Sequence, residues 1–375
     1  MHSDVIIEKV TLTNFRSHKN TNLNTPESNV VLFGENGTGK TNILEAISLF
    51  SPGRGLRGAV NQDLIAVDKM IDGFEIKILL KYKTGSVTLY KKFSNDEKKE
   101  SYYLADGEKI SSNELLNYLR IIWITPVMEK IMLQSNTEKR NFFDRLIFNI
   151  EKQHVKNLRQ LNKFFKERIT LIQNHPSNEG WISIVEEKIA CLSFELLETR
   201  NKILSLINNE LGKIAEPFSS CDIEFIYAYD VANDATNYKD NGKEFISKYK
   251  NQLKLNRSMD AEINKTLINV NKVRVIIWKG KERKLESKDC STGEQKSMLI
   301  AIIISVAKLI KEHDLFRAPI ILIDEAMAHL DEFHKNQLLL ELENINSQAW
   351  FTGVSKELFS NINDQTVFFE IKNHI

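Results

Sequence analysis

Gly34-Glu35-Asn36-Gly37-Thr38-Gly39-Lys40-Thr41 is the stretch that decides the fold. It fits the phosphate-loop pattern G-x-x-x-x-G-K-[ST]. Glycines there let successive backbone N–H groups turn inward around phosphate oxygens. Lys40 is placed to reach the β- and γ-phosphates of a nucleotide, and Thr41 to ligand Mg2+. An ordinary glycine turn can carry the same letters, but the flanks argue against one. The apolar segment 29–33 reads as a strand entering the loop, and 42–50 leaves it with Ile43, Leu44, Ala46, Ile47 and Phe50 at helical spacing. A helix starting there adds its dipole to the anion site. All eight residues are therefore candidate nucleotide contacts, with ATP and Mg2+ the implied cofactors.

Working outward, Ile320-Ile321-Leu322-Ile323-Asp324-Glu325 has the texture of a buried parallel strand ending in two carboxylates. Acids are common at strand ends, and a P-loop upstream gives this pair its meaning. Asp324 would hold Mg2+ through water, because Mg2+ keeps part of its hydration shell. Glu325 would orient and deprotonate the attacking water. Lys40, Asp324 and Glu325 are thus the catalytic candidates. Ser291-Thr292-Gly293-Glu294-Gln295 precedes a long apolar helix and resembles the signature of the ABC class, a second helix N-terminus with a hydroxyl and a glycine. A plain helix cap is the other reading of those letters. Asp331 follows Asp324 where the ABC class keeps its D-loop. Thr352, after the strand-like 349–351, stands at the switch position. Ser291, Gly293, Gln295, Asp331 and Thr352 therefore join the nucleotide contacts. Four elements in this order predict an α/β, ABC-type P-loop ATPase head, a mixed sheet with flanking helices.

Composition narrows the partners. Lys and Arg number 51 against 50 Asp and Glu, so the chain is no polycation, and any nucleic-acid contact must be local. The apolar run from Met298 is bounded by Lys296 and Lys308 and is too short to span a membrane. The first residues show no secretion signal. Three scattered cysteines, Cys191, Cys221 and Cys290, form neither a disulfide framework nor a metal cluster. These features predict a cytoplasmic protein with no membrane partner.

From Asn136 glycine and proline vanish until Pro176, and the apolar period becomes 3.5. Val155, Leu158, Phe165, Ile169 and Ile172 form one seam with Asn162 its polar member. After the turn at 175–180, Ile182, Val185, Ile189, Leu192, Leu196, Ile203 and Leu206 form a second. An antiparallel hairpin over about 137–210 follows from this, with two ordinary core helices as the alternative. Segment 222–260, polar and Asn-rich, reads as weaker structure or loops, and 272–278 as a strand. The domain boundaries read as 1–135 for the N-terminal part of the head, 136–265 for a helical insertion, and 266–375 for its C-terminal part. Lys152, Lys156, Arg159, Lys163 and Lys166 recur at spacings of four, three, four and three, a basic stripe on the first hairpin helix. It reads as a DNA contact or as a solvated face. Lys91-Lys92 and Lys98-Lys99 are further phosphate-contact candidates. Arg54 and Arg57 suit either nucleotide or DNA.

Over nearly its whole length the chain resembles the RecF family. The resemblance is carried by Leu12-Thr13-Asn14-Phe15-Arg16, by 37–47, by Ser51-Pro52-Gly53-Arg54-Gly55-Leu56-Arg57 and by Trp123-Ile124-Thr125-Pro126. Lys139-Arg140-Asn141-Phe142-Phe143-Asp144-Arg145-Leu146 and Cys290-Ser291-Thr292-Gly293-Glu294-Gln295-Lys296 complete it. The versions at 51–56 and 290–296 resemble those of alphaproteobacterial members. The resemblance implies a slow, DNA-stimulated ATPase that dimerises head to tail on ATP and binds duplex DNA or gap junctions. It further implies work with RecR and RecO in gap repair and the SOS response. One departure stands out: the family's Gly-Pro-His-Arg before the signature is replaced by Asn269-Val270-Asn271-Lys272. A transporter ATPase subunit is the first alternative, but all of 41–290 lies between Lys40 and Ser291. An SMC-like or zinc-hook tether is the second, but the turn at 175–180 lacks cysteine. A nucleotide-gated clamp with incidental hydrolysis is the third.

Overall fold

The computed structural model describes every residue except 1–4, 26–28, 67–72, 96–98, 215, 229–241, 314–316, 326–329, 361, 363–365 and 373–375. It divides into two compact units. The first comprises Met1–Lys130, Ile214–Ser219 and Lys296–Ile375, the second Ile131–Lys213 and Ser220–Gln295.

The first unit holds two sheets. β1 (Val5–Phe15), β2 (His18–Asn24), β4 (Gly73–Tyr82), β5 (Gly85–Ser94), β6 (Ser101–Ala105) and β7 (Glu108–Ile110) form an antiparallel sheet in the order β2-β1-β4-β5-β6-β7. Alternation builds it: Phe74, Ile76, Ile78 and Leu80 of β4 are buried, with partly exposed residues between them. The other sheet is wholly parallel, its strands β3 (Val30–Phe33), β8 (Ile121–Ile124), β11 (Ile320–Ile323), β12 (Ala349–Gly353) and β13 (Val367–Glu370). Its order is β13-β3-β12-β11-β8. β8, β11 and β12 are buried along their whole length, as strands covered on both faces must be. Three helices accompany this sheet in sequence: α1 (Lys40–Ser48), α7 (Thr292–His313), which enters this unit at Lys296, and α8 (Glu332–Ile345). Among the described residues no helix is long and apolar enough to cross a membrane.

The second unit contains α2 (Asn136–Ile150), α3 (Gln153–Asn174), α4 (Glu179–Leu211), β9 (Cys221–Tyr227), α5 (Lys243–Leu255), α6 (Arg257–Glu262) and β10 (Val273–Lys279). Helix α2 begins on a capping box, Ser135 and Glu138 each bonding the other's backbone. Helices α3 and α4 form an antiparallel hairpin: Trp181 Nε1 donates to Glu167 and Asn157 Nδ2 to Glu195, so partners converge toward the turn. The α4 seam is buried from Ile182 to Ile203. The α3 seam differs from the heptad reading. Val155, Phe165 and Ile172 of that seam are buried, but Asn162 is exposed, and the buried face also takes in His154, Asn157, Leu161 and Arg168. Three of those buried residues, His154, Asn157 and Arg168, are polar, which an apolar count skips.

Segment 222–260 is more regular than the weaker structure or loops expected. Its described parts hold β9, α5 and most of α6. Phe245, Tyr249 and Leu253, four apart, supply the buried face of α5, and polar neighbours hide that stripe in composition. β10 pairs along its length with β9, so contacts carry the second unit to Gln295, beyond the boundary read at 265.

Two buried ion clusters organise this unit. Asp144 receives Arg200 Nε at 2.9 Å and Nη2 at 2.8 Å, and His154 Nε2 stands 2.8 Å from it. Burial alone would raise the Asp144 pKa; the Arg200 charge and the His154 hydrogen bond instead hold it far below the carboxylate range. Arg200 also donates to Val270 O and Asn271 Oδ1 at 2.9 Å, and Arg140 Nη1 to Asn271 O at 3.1 Å. The departing segment 269–272 is thereby tied to the 139–146 motif. In the other cluster, fully buried Arg168 bonds Glu186, Asp260, Thr266 and the Leu253 carbonyl.

Candidate nucleotide-binding site

The P-loop joins β3 to α1. Gly39 has φ +98° and precedes the helix; a Cβ on it would strike Ser17 Oγ and approach His18 Nε2 at 2.8 Å. Gly34, at φ +145°, lies with equal closeness against the Ile371 carbonyl. Both positions exclude a side chain, by conformation and by contact. Lys40 is buried, its Nζ donating to the carbonyls of Gly34 at 2.7 Å and Glu35 at 2.6 Å. Burial lowers the Lys40 pKa, while the charges of Glu325 and Asp324 oppose that change.

Parallel pairing brings the distant acids here. β12 runs between β3 and β11, so the ends of all three strands share one edge of the sheet. Thr41 Oγ1 donates to Asp324 Oδ1 at 2.8 Å, and Thr352 Oγ1 donates to the same oxygen at 2.8 Å. Glu325 N–H donates to Thr352 Oγ1 at 2.9 Å. Glu325 itself has φ +53°, a left-handed backbone that costs a non-glycine residue about 1 kcal/mol or more. Lys40, Thr41, Asp324, Glu325 and Thr352 are therefore one cluster. Glu35, Asn36 and Gly37 are exposed on the loop, and Thr38 is buried, its hydroxyl donating to Glu35 O at 3.0 Å.

Ser291 and Glu294 reciprocally cap α7: the Ser291 N–H and hydroxyl both reach Glu294 Oε2 at 2.9 Å, and Glu294 N–H returns to Ser291 Oγ at 3.3 Å. The bond from Lys279, with those from Ser291, holds the Glu294 carboxyl down near about 2. Ser291 and Gly293 are exposed, whereas Gln295 is buried and donates to the carbonyls of Lys288 and Cys290. Asp331 caps α8 through His334 N–H at 2.9 Å. Residues 326–329, which lead to it, lie outside the described residues.

Other contacts support the loop in ways that the letters alone did not assign. Arg16 grips Glu45 of α1 with Nε at 3.0 Å and Nη2 at 2.8 Å, and Glu45 is fully buried. Arg57 reaches Glu45 at 3.5 Å and Asn42 at 2.9 Å, placing it against α1. His18, buried, stands 3.0 Å from the Gly39 carbonyl. The motif 12–16 contains one end of the Arg16–Glu45 pair; His18 is one histidine in a polar strand. Lys152, Lys156, Arg159, Lys163 and Lys166 are all exposed along α3. Lys91 is not a surface cation: it is 5 % exposed, over the Tyr103 ring at 4.2 Å. Lys92 is paired with Glu75 at 2.5 Å. Lys98 lies outside the described residues.

Residues 6–375 match the family described as RecF/RecN/SMC N terminal domain. The DNA replication and repair protein RecF of Rickettsia felis is 33% identical over 365 residues, 96% of each chain. RecF of Rickettsia prowazekii is 32% identical over 96% of this chain and 97% of its own. Among solved structures, a recombination mediator RecF-ATP complex superposes with TM-score 0.84 at 22% identity, covering 100% of this chain and 99% of that one. The Smc head of Pyrococcus furiosus superposes at 0.54 with 16% identity, covering 98% of this chain and 94% of that one. These likenesses bear on the fold, an ABC-type ATPase head with an inserted helical hairpin. The chain belongs to the RecF family of DNA replication and repair proteins, within the wider RecF/RecN/SMC group.

Proposed function

We propose that the chain is a DNA-binding ATPase switch: ATP closes two copies head to tail on duplex or gapped DNA, and slow, DNA-stimulated hydrolysis releases them. The carrying observation is the convergence of Thr41, Asp324, Thr352 and Glu325 beside the P-loop lysine. The residues fit a magnesium nucleotide. A buried cation sits inside a glycine loop, and a hydroxyl and a carboxylate meet at 2.8 Å. Among the described residues no group of three His, Cys, Asp or Glu could hold a metal alone. That suits Mg2+, which takes few protein ligands beside phosphate and water. Bound there, the ion would neutralise charge on the phosphates.

Each side chain then has a task. Lys40 exchanges its loop carbonyls for phosphate oxygens. Thr41 and, through water, Asp324 would hold the ion, and Glu325 would accept a proton from the attacking water. Thr352 holds the Asp324 carboxylate and the Glu325 backbone. Ser291 and Gly293, with Asp331, serve the ATP held by a second copy, while Gln295 braces the signature turn. The stripe from Lys152 to Lys166 contacts DNA phosphates. RecR and RecO as partners and a cytoplasmic location follow from the family. Segments 1–130, 214–219 and 296–375 build the head, and 131–213 with 220–295 the insertion. A tether is disfavoured by arm length: the longer hairpin helix has 33 residues, about 50 Å.

Sedimentation of the full chain with no nucleotide, ADP or ATP, each with and without gapped duplex, tests this reading. An ATP-only dimer that retains DNA is expected. A monomer under every condition would overturn it.

A further inference from the structure

Helix α3 borders a groove beside its exposed lysines, its lining including Phe165 and Ile169. The groove, about 630 Å3, runs between α3 and the segment 264–269 and is lined in part by Asn162, Lys166, Gln173, Asn264, Lys265 and Asn269. Among the described residues, none that lines it is Asp or Glu. The groove along α3 and α4 that includes Ile184 carries Glu187 and Glu195, so the acid-free lining is not general to this hairpin. Lys166 belongs both to this groove and to the stripe of Lys156, Arg159 and Lys163, since residues three and four apart share a helix face.

The groove is also built rigidly. Arg168, on the turn of α3 behind it, donates to Asp260 Oδ2 at 2.7 Å and to Thr266 Oγ1 at 3.1 Å. Asp260 in turn receives Leu267 N–H at 2.8 Å, and its carbonyl receives Lys265 N–H at 3.0 Å. One buried ion pair thus fixes the wall that carries Lys265. A preformed wall spares the ordering cost of binding.

We propose that this groove seats the sugar–phosphate backbone of one DNA strand, with Lys166 and Lys265 on its phosphates and the amides of Asn162, Gln173 and Asn264 on phosphate and sugar oxygens. Amides and ammonium groups without carboxylates suit an acceptor-rich polyanion whose sequence is not read. Lys272 adds to the field: burial, then the neighbouring Lys265 charge, lower its pKa, against a weaker pull from Asp260. A phosphate between the two lysines relieves that repulsion. The proposal rests on the DNA-binding reading above and gives it a place.

The test is fluorescence anisotropy of the full chain with ATP and labelled gapped duplex across a salt series. Each neutralised phosphate contributes about 0.9 to the slope of log affinity against log salt. Lys166→Ala with Lys265→Ala is expected to flatten the slope by up to roughly two, and Lys188→Ala, on the other groove, to leave it unchanged. Asn264 has φ +54°, which Asp tolerates, so Asn264→Asp adds a charge without refolding the turn. It should weaken binding at least about fivefold by repulsion, with Asn264→Gly near the parent. Parent-like slope in the lysine pair together with parent-like affinity in Asn264→Asp would overturn the groove and leave DNA binding standing. A parent chain that binds no DNA would overturn the underlying reading and the groove with it.

Discussion

Thr352 Oγ1 donates to Asp324 Oδ1 at 2.8 Å, the same oxygen that Thr41 reaches, and it also accepts the Glu325 N–H at 2.9 Å. One hydroxyl at the end of β12 therefore holds both carboxylate residues that follow β11. Thr352→Val keeps the shape and leaves the Glu325 N–H without its acceptor, a loss of about 1–3 kcal/mol. Single-turnover hydrolysis should fall by about 10- to 100-fold, with ATP affinity changed by less than about threefold. An equal loss in both would show that Thr352 serves binding instead.

Glu325→Gln preserves size and removes the base. Nucleotide binding should persist and hydrolysis should drop by at least about 100-fold, so the dimer outlives that of the parent in ATP. Lys40→Ala should lose nucleotide binding itself, because the phosphate charge loses its buried counter-ion. Equilibrium titration with labelled ATP separates the two variants.

Arg16 and Glu45 form a two-point pair around a carboxylate with no exposure. Arg16→Ala would strand that charge and should lower stability by about 3 kcal/mol. Arg16→Met with Glu45→Leu should regain more than half of the loss, since neither charge remains to be desolvated. Urea midpoints measure both. A single variant as stable as the parent would show that Arg57, 3.5 Å from Glu45, already suffices.

Lys91 gives a pH signature. Burial pushes its pKa down to about 8 from an ordinary 10.5. Between those values the unfolded chain holds the extra proton, so stability rises with pH across that window. The effect is on the order of 3 kcal/mol. Lys91→Met should remove that rise while leaving the rest of the profile, as followed by denaturant midpoints from pH 7 to 11.

The site was legible where chemistry has a fixed letter pattern. Gly34 to Thr41 and the pair Asp324-Glu325 can be read because phosphate and Mg2+ accept few arrangements. Thr352 needed the order of the motifs, and its bonds needed the sheet. Arg16, Glu45 and His18 were hidden because support of a loop is met by many residue types. The hairpin was legible from its apolar period, yet the polar part of the α3 buried face was not. Arg168, His154 and Asn157 are buried there with partners from other elements, a burial that hydrophobicity cannot announce. Helix α5 was missed for a related reason: Phe245, Tyr249 and Leu253 are its whole buried face.

The bond from Thr41 to Asp324 spans 283 positions. A contact that distant closes a long loop late in folding, after nearer contacts have repaid their own entropy. The P-loop leaves the ribosome early, with neither the strand that carries Asp324 nor the one that carries Thr352 yet made. A nascent chain therefore holds half of a nucleotide site throughout most of its synthesis. Ligand affinity becomes a late marker of maturation, and any lesion that delays β11 or β12 exposes the unfinished parallel sheet to misassembly during that interval.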